Sequence, residues 1–137
     1  MNDTTRQPTK SYRDLEIYQL AHRLGVDLHK FSLRLPKHEL YESGSQLRRA
    51  SKSISANIVE GYGRRRYKAD FIHFLVYAQA SCDETVEWVE YIRDCYDGQI
   101  QKEAVAFLST LDELGRKLNR FIQAVEAGHK TANDARS

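Results

Sequence analysis

Residues that suit a protein interior recur along this chain at alternating spacings of four and three positions, and this regularity constrains the fold more than any other feature. The spacing is typical of α-helices that bury one narrow face against neighbouring helices at a shallow angle. It is unbroken along the longest segment, at Phe71, Leu75, Ala78, Cys82, Thr85, Val89, Ile92 and Tyr96. No segment of useful length alternates with period two, so we predict helices and no strands.

Three further segments carry the same helical spacing. The first runs through Ile17, Ala21, Leu24, Leu28, Phe31 and Leu35. The second is shorter and runs through Leu47, Ala50, Ile54 and Ile58, followed by Gly61 and Gly63. The last runs through Ala104, Phe107, Leu111, Leu114, Leu118, Phe121 and Val125. Four amphipathic helices with short or moderate connections pack most simply as an all-α, antiparallel up-down four-helix bundle, which is the predicted fold.

Local signals mark the ends of the predicted helices. Ser11, with Asp14 three residues later, is a candidate N-terminal cap for the first helix, and Pro36 is expected to stop it. Asp97 and Gly98 predict a turn after the longest helix, with Gly98 placed for a left-handed C-terminal cap.

A chain of 137 residues fits one domain. We assign the bundle to residues 12–127 and expect residues 1–11 and 128–137 to form disordered tails. No apolar run approaches the ~20 residues of a membrane span, and the first ten residues lack a hydrophobic signal segment. Cys82 and Cys95 fall in one predicted helix at a separation of roughly 20 Å, too far for a disulfide between them. These features predict a cytoplasmic protein with reduced cysteines and no membrane partner.

The sequence gives little support for catalysis or for a bound metal. Di-metal sites in four-helix bundles use two Glu-x-x-His pairs. The chain has this spacing once, at Glu126 and His129 on either side of Gly128, and we interpret it as chance. His22 and His29 can share a helix face, but no acidic residue accompanies them at ligand spacing. No P-loop or nucleophile-elbow motif is present, so we predict a protein that is not an enzyme and has no catalytic residues, metal or cofactor.

Charge is strongly separated along the chain, although the net charge is only +2. Between Asp83 and Asp97, six acidic residues outnumber one arginine. Between Arg48 and Lys68, seven cationic residues accompany a single acid, Glu60. These cations and the two tyrosines among them form what we call the basic strip: Arg48, Arg49, Lys52, Tyr62, Arg64, Arg65, Arg66, Tyr67 and Lys68.

Three interpretations of the basic strip fit the sequence. Arginine makes bidentate phosphate contacts and exposed tyrosine stacks on unpaired bases, so the strip is typical of a nucleic-acid interface, for either RNA or DNA. The arginines can instead contact the acidic segment 83–97 of a neighbouring subunit, or a protein partner that the sequence does not identify. The third interpretation is a solvated surface without a specialised role.

The second segment differs from the others because it is rich in Ala and Ser, which predicts a close approach of neighbouring backbones. After Ile54, strict spacing calls for an apolar residue at Asn57. A buried Asn57 would need a hydrogen bond and could fix register or oligomeric state. Alternatively, the helix rotates to bury Ile58 and leaves Asn57 at the rim. The sequence leaves both open, and we treat Asn57 and Glu60 as structural polar residues.

The same segment carries a family resemblance. It contains the run Ser45-Gln46-Leu47-Arg48-Arg49-Ala50-Ser51, followed by Ser53-Ile54, Ala56-Asn57-Ile58 and Glu60-Gly61. Weaker matches are residues 14–21, Leu35-Pro36, Asp70-Phe71, Phe74-Leu75, Ala78, Ala80-Ser81 and Glu84. With these motifs the chain resembles, over most of its length, the four-helix-bundle proteins named after intervening sequences of bacterial 23S ribosomal RNA genes.

The resemblance implies a four-helix bundle and a homo-oligomer, since family members look like ring-shaped pentamers. A related branch serves as the accessory protein of diversity-generating retroelements, where a basic pentamer is expected to engage nucleic acid and the reverse transcriptase. The family name alone does not imply RNA binding. The resemblance implies no catalytic role for Arg48, Arg49, Asn57 or Glu60, and the run 64–66 is less characteristic of the family.

Overall fold

The computed structural model describes residues 11–128, and every regular element in this range is helical. A 3-10 turn, Tyr12–Asp14, precedes the first α-helix. The α-helices are α1 (Glu16–Ser32), α2 (Lys37–Leu40), α3 (Ser43–Gly63), α4 (Lys68–Cys95) and α5 (Gly98–Ala127). The predicted all-α, four-helix arrangement is confirmed, with α1, α3, α4 and α5 as the four long helices. Apart from Ser11 and Gly128, the predicted tails lie outside the described residues.

The sequence signals for helix ends are present, with shifts in position. Ser11 and Asp14 form a capping box, in which Asp14 Oδ2 accepts from Ser11 N at 3.2 Å, but the box caps the 3-10 turn and α1 begins two residues later. Pro36 does not end α1 directly, since α1 ends at Ser32, and Pro36 instead precedes the one-turn helix α2. Gly98 has the predicted positive φ, +65°, but it does not cap α4, because α4 ends at Cys95 with Tyr96 as its cap and Gly98 is the first residue of α5.

Contacts at two points along each of the pairs α4–α5 and α1–α5 show that each of these two pairs is antiparallel. Between α4 and α5, Phe71 packs on Phe121 with ring centroids 5.9 Å apart, and further along α4 the Cys82 thiol donates to Leu111 O at 3.7 Å. Between α1 and α5, Lys117 Nζ lies 2.7 Å from Glu16 Oε2, while Arg34 Nη2 lies 2.8 Å from Glu103 Oε1. The packed pairs α1–α3, α3–α4, α4–α5 and α1–α5 close a ring in which α3 and α5 lie diagonally opposite.

The core follows the sequence spacing closely. All six predicted positions on α1 and its C-terminal extension are buried, and so are all four on α3. On α5 the stripe is slightly rotated, because Ile122 is buried while Phe121 and Phe107 are only partly buried. The buried polar residues Ser32, Ser51 and Thr85 each donate to a backbone carbonyl of their own helix, which satisfies their hydroxyl groups.

Helices α3 and α4 approach closely, as the Ala- and Ser-rich sequence of α3 predicts. Ser53 donates a hydrogen bond to Ser81 across the pair. A Cβ atom added at Gly61 would lie 3.1 Å from Phe74 Cβ and 3.3 Å from Phe71 O, so only glycine fits there without a shift. Within residues 11–128, no helix combines the length and the apolar character that crossing a membrane requires.

Candidate nucleic-acid interface

The basic strip divides into residues held inside the subunit and residues that face solvent. The first group contains Arg48, Tyr62 and Lys68. The second contains Arg49, Lys52, Arg64, Arg65, Arg66 and Tyr67, all of which are exposed. The strip is therefore continuous in sequence but not on the surface.

Arg48 is a structural clamp in this fold. Its Nη1 donates to Ser32 Oγ at 2.8 Å and its Nη2 donates to Leu40 O at 2.9 Å, so one guanidinium joins the end of α1, the end of α2 and α3. The backbone is tightly packed beside it, because a Cβ at Gly44 would lie 2.9 Å from Glu39 O and 3.2 Å from Arg48 Nη1. This guanidinium is directed to internal acceptors rather than to phosphate, unlike in the sequence-based prediction.

Arg49 and Lys52 occupy the outer face of α3. Both side chains are exposed, and within residues 11–128 neither forms an ion pair. Their spacing of three residues places them on the same side of the helix. They are the cations of the basic strip that are freest to contact an anion.

The loop after α3 presents the remaining arginines in different ways. Arg64 Nε lies 2.9 Å from Glu60 Oε2 and its Nη1 lies 3.7 Å from Asp70 Oδ2, so two carboxylates offset its charge. The Arg65 guanidinium stacks 4.0 Å above the Tyr62 ring and donates to Tyr62 O at 3.0 Å, which orients an exposed fork toward solvent. Arg66 is exposed.

The two tyrosines of the strip differ in exposure. Tyr67 is 60% exposed and its ring is available for stacking. Tyr62 is only 7% exposed, because it continues the buried stripe of Ile54 and Ile58, and its ring packs edge-on against Phe71. The predicted base-stacking role of Tyr62 does not fit this position. Lys68 Nζ donates to Glu126 O at 3.3 Å, which holds the start of α4 to the end of α5.

The position of Asn57 matches the rotated-helix alternative. Ile58 is fully buried, whereas Asn57 is half-buried and its Nδ2 donates to Ser53 O at 2.8 Å. Glu60 is exposed and pairs with Arg64. Within the subunit, both residues therefore act as local polar contacts of α3.

A groove between α1 and α3 borders the exposed cations and was not predicted as a site. Its volume is about 320 Å³, and its lining includes His22, Val26 and Lys30 from α1 together with Lys52 from α3. The spacing of His22, Val26 and Lys30 already indicates a common face of α1. The sequence could not show that this face lies beside Lys52, because that requires the order of the helices in the bundle.

Comparison with known proteins assigns the family. The family model of the 23S rRNA-intervening sequence proteins matches residues 13–120, which is well over half of the chain. The chain belongs to this family. The match confirms the family resemblance carried by the α3 motif.

A solved structure resembles this 23S rRNA-intervening sequence protein in fold. It is the crystal structure of a protein of unknown function from the S23 ribosomal protein family of Bacteroides thetaiotaomicron. The sequence identity is 24%, the TM-score is 0.66, and the alignment covers 78% of this chain and 98% of the other. Comparison with curated protein sequences gave no match.

The two cysteines of this family member lie in different environments. Cys82 is buried, and burial, with a smaller effect from Asp83, raises the pKa of its thiol to about 12, which disfavours a reactive thiolate. Cys95 is free and exposed at the end of α4. Within residues 11–128, no three His, Cys, Asp or Glu side chains cluster as metal ligands would. His129, half of the one Glu-x-x-His spacing, lies outside the described residues.

Proposed function

We propose that this 23S rRNA-intervening sequence protein is a non-catalytic, homo-oligomeric protein that binds nucleic acid through the exposed part of the basic strip. The observation that carries the proposal is the position of Arg49 and Lys52 on the outer face of α3, with Arg65, Arg66 and Tyr67 exposed in the loop that follows this helix. From residue 49 to residue 63 the helix rises about 21 Å. A duplex presents one phosphate charge per ~1.7 Å of its axis, so two groups of cations at this spacing can contact separate phosphates of one duplex.

The proposal also gives each part of the strip a distinct task. Arg49 and Lys52 supply unpaired charge, and Arg65 supplies an oriented guanidinium that suits a bidentate phosphate contact. Tyr67 supplies an exposed ring, which favours a ligand with some unpaired bases. In a homo-oligomer, symmetry repeats this modest patch, so a chain of net charge +2 can still bind a polyanion by simultaneous contacts.

Substitution of the two α3 cations tests the nucleic-acid contact. We expect Arg49→Ala/Lys52→Ala to weaken binding to both hairpin RNA and duplex DNA by about tenfold at low salt, because two phosphate contacts are lost. The slope of log affinity against log salt should fall by about 2, near 0.9 per contact for duplex DNA. The measurement is a fluorescence-anisotropy titration of labelled RNA and DNA at several salt concentrations.

The matched control removes two exposed cations from α5, diagonally opposite α3. Lys102→Ala/Arg116→Ala changes the net charge equally and should leave affinity and salt slope nearly unchanged. Equal losses of affinity in the two double variants would show that binding depends on the net charge of the protein and not on the basic strip. Unchanged affinity in Arg49→Ala/Lys52→Ala would show that the strip is not the nucleic-acid interface.

A second candidate function, that of an assembly or adaptor protein, is favoured by the outer face of α4. The N-terminal half of that face exposes the apolar side chains of Val76 and Tyr77. The C-terminal half carries the acidic segment 83–97, in which five of the six acidic residues are exposed. An apolar patch of this kind is typical of a protein contact, and a contact between unlike faces of successive subunits closes into a ring.

A double substitution in this patch tests assembly. We expect Val76→Glu/Tyr77→Glu to lower the solution mass toward that of the monomer, because two carboxylates would have to be desolvated in the subunit contact. Multi-angle light scattering after size exclusion measures the mass. Val105→Glu on α5 introduces a carboxylate at another exposed valine and should leave the mass unchanged. An unchanged mass in the α4 variant would exclude this face from the interface.

A further inference from the structure

The groove between α1 and α3 combines an apolar wall with cations. Gly25 contributes no side chain, and Val26 is 40% exposed, which is high for valine on a packed helix. The side chains of Lys30 from α1 and Lys52 from the neighbouring helix α3 also line the groove. An apolar surface and two primary amines in one concavity fit a ligand that has both a flat apolar part and an anionic part.

The charge of the groove selects for anions. Its lining contains the two lysines, His22, His29 and the hydroxyl of Ser55, and no carboxylate of the described residues belongs to it. The nearest acid in sequence, Asp27, is exposed and does not line the groove. Arg49 lies one helical turn from Lys52 on the same exposed side of α3 and adds to the positive field.

The size of the groove and its two imidazole rings further limit the kinds of ligand that fit. A volume of about 320 Å³ lies at the lower end of small-molecule sites and is larger than a bare phosphate needs. Histidine rings stack on nucleobases in proteins that bind unpaired nucleotides. His29 lines the groove, and its Nδ1 atom is shielded from solvent and has no hydrogen-bond partner among the described residues.

We infer that the α1–α3 groove binds a single nucleotide, with the base against Val26 and the imidazoles and the phosphate between Lys30 and Lys52. The inference rests on the proposed nucleic-acid function, because Lys52 belongs to both the groove and the basic strip. The nucleotide has two sources of the same chemistry: a free mononucleotide or one unpaired nucleotide of a bound strand. In the second case the groove gives the protein a preference for strands with unpaired bases.

NMR of the whole 137-residue chain measures ligand binding to the groove. The signals observed are the imidazole signals of His22 and His29, assigned with His22→Gln and His29→Gln, and the methyl signals of Val26, assigned with Val26→Ala. The probes are 5′-AMP, 5′-UMP, adenosine, inorganic phosphate and a five-nucleotide single strand. We expect at least one mononucleotide or the single strand to shift these signals in a saturable way. Adenosine and phosphate alone should bind at least tenfold more weakly, because each lacks half of the contacts.

Val26→Glu supplies the discriminating variant. It adds a carboxylate to the lining that contains the two lysines and should weaken nucleotide binding at least tenfold, while Val105→Glu, at a valine that is 52% exposed on α5, should not change it. Shifts with mononucleotides identify a free-nucleotide site, and shifts with the single strand alone identify a site for an unpaired nucleotide. Both outcomes support the groove.

Three results would overturn the inference: no shift with any probe, equal binding of inorganic phosphate and nucleotide, or equal binding by Val26→Glu and the unaltered protein. These results are separable from failure of the proposed function. If duplex DNA binds in a salt-dependent way and Arg49→Ala/Lys52→Ala abolishes that binding, the basic strip is supported as the nucleic-acid interface even when the groove signals do not shift. If the groove signals shift but neither duplex nor hairpin binds, the groove is supported as a nucleotide site and the strip is rejected as an interface.

Discussion

Replacement of Phe31 by alanine should lower the free energy of unfolding by about 3–5 kcal/mol, which is the range for truncation of a fully buried aromatic side chain. Phe31 is completely buried near the end of α1, and its ring lies 5.1 Å from that of Phe107 on α5. The Arg34 guanidinium lies 5.6 Å from the centroid of the Phe31 ring. The truncation therefore removes apolar contacts and leaves a cavity at the α1–α5 seam.

Urea denaturation followed by circular dichroism at 222 nm measures this loss. The protein concentration must be held fixed, because the stability of an oligomer depends on it. Leu33→Ala is the matched control, since Leu33 is an apolar residue two positions away that is 55% exposed. The free energy of unfolding of this variant should fall by no more than about 0.5 kcal/mol. Equal losses in both variants would show that Phe31 is not part of the core described above.

The success of the sequence prediction at Phe31 and its failure at α2 have one physical explanation. A long helix that buries one face repeats its spacing many times, so α1 and α4 are visible in the sequence before any contact is known. The one-turn helix Lys37–Leu40 repeats nothing, contains no buried residue, and follows a proline that reads as a stop. Its presence depends on contacts with α3, which sequence spacing does not describe.

The candidate site was predictable only in part, for a related reason. Composition identifies cations but not their partners, so Arg48 and Arg49 are equivalent in the sequence. The fold separates them, because Ser32 and Leu40 lie within hydrogen-bond distance of Arg48 only. Tyr62 is a different case, since its spacing of four from Ile58 is a signal of burial that the sequence-based assignment to the basic strip did not use. The α1–α3 groove needed the helix order as well as the helix faces.

Replacement of Arg48 by methionine should lower the free energy of unfolding by about 2–3 kcal/mol, while nucleic-acid affinity stays close to that of the unaltered protein. Methionine keeps an unbranched stem but cannot donate to Leu40 O or to Ser32 Oγ. Hydrogen bonds that involve a charged group contribute about 1.5–3 kcal/mol each, and the half-buried position of Arg48 reduces their combined effect. The same urea denaturation and anisotropy titrations measure both quantities.

Arg49→Met is the matched control and should give the opposite result. Arg49 is exposed and forms no ion pair within residues 11–128, so its loss should change stability by at most about 0.5 kcal/mol. Its loss should also weaken nucleic-acid binding several-fold and reduce the salt slope by about 1. The two variants then distinguish an arginine that stabilises the fold from an adjacent arginine that contacts nucleic acid. A loss of affinity in Arg48→Met at full stability would assign Arg48 to the interface and contradict its role as a clamp between α1, α2 and α3.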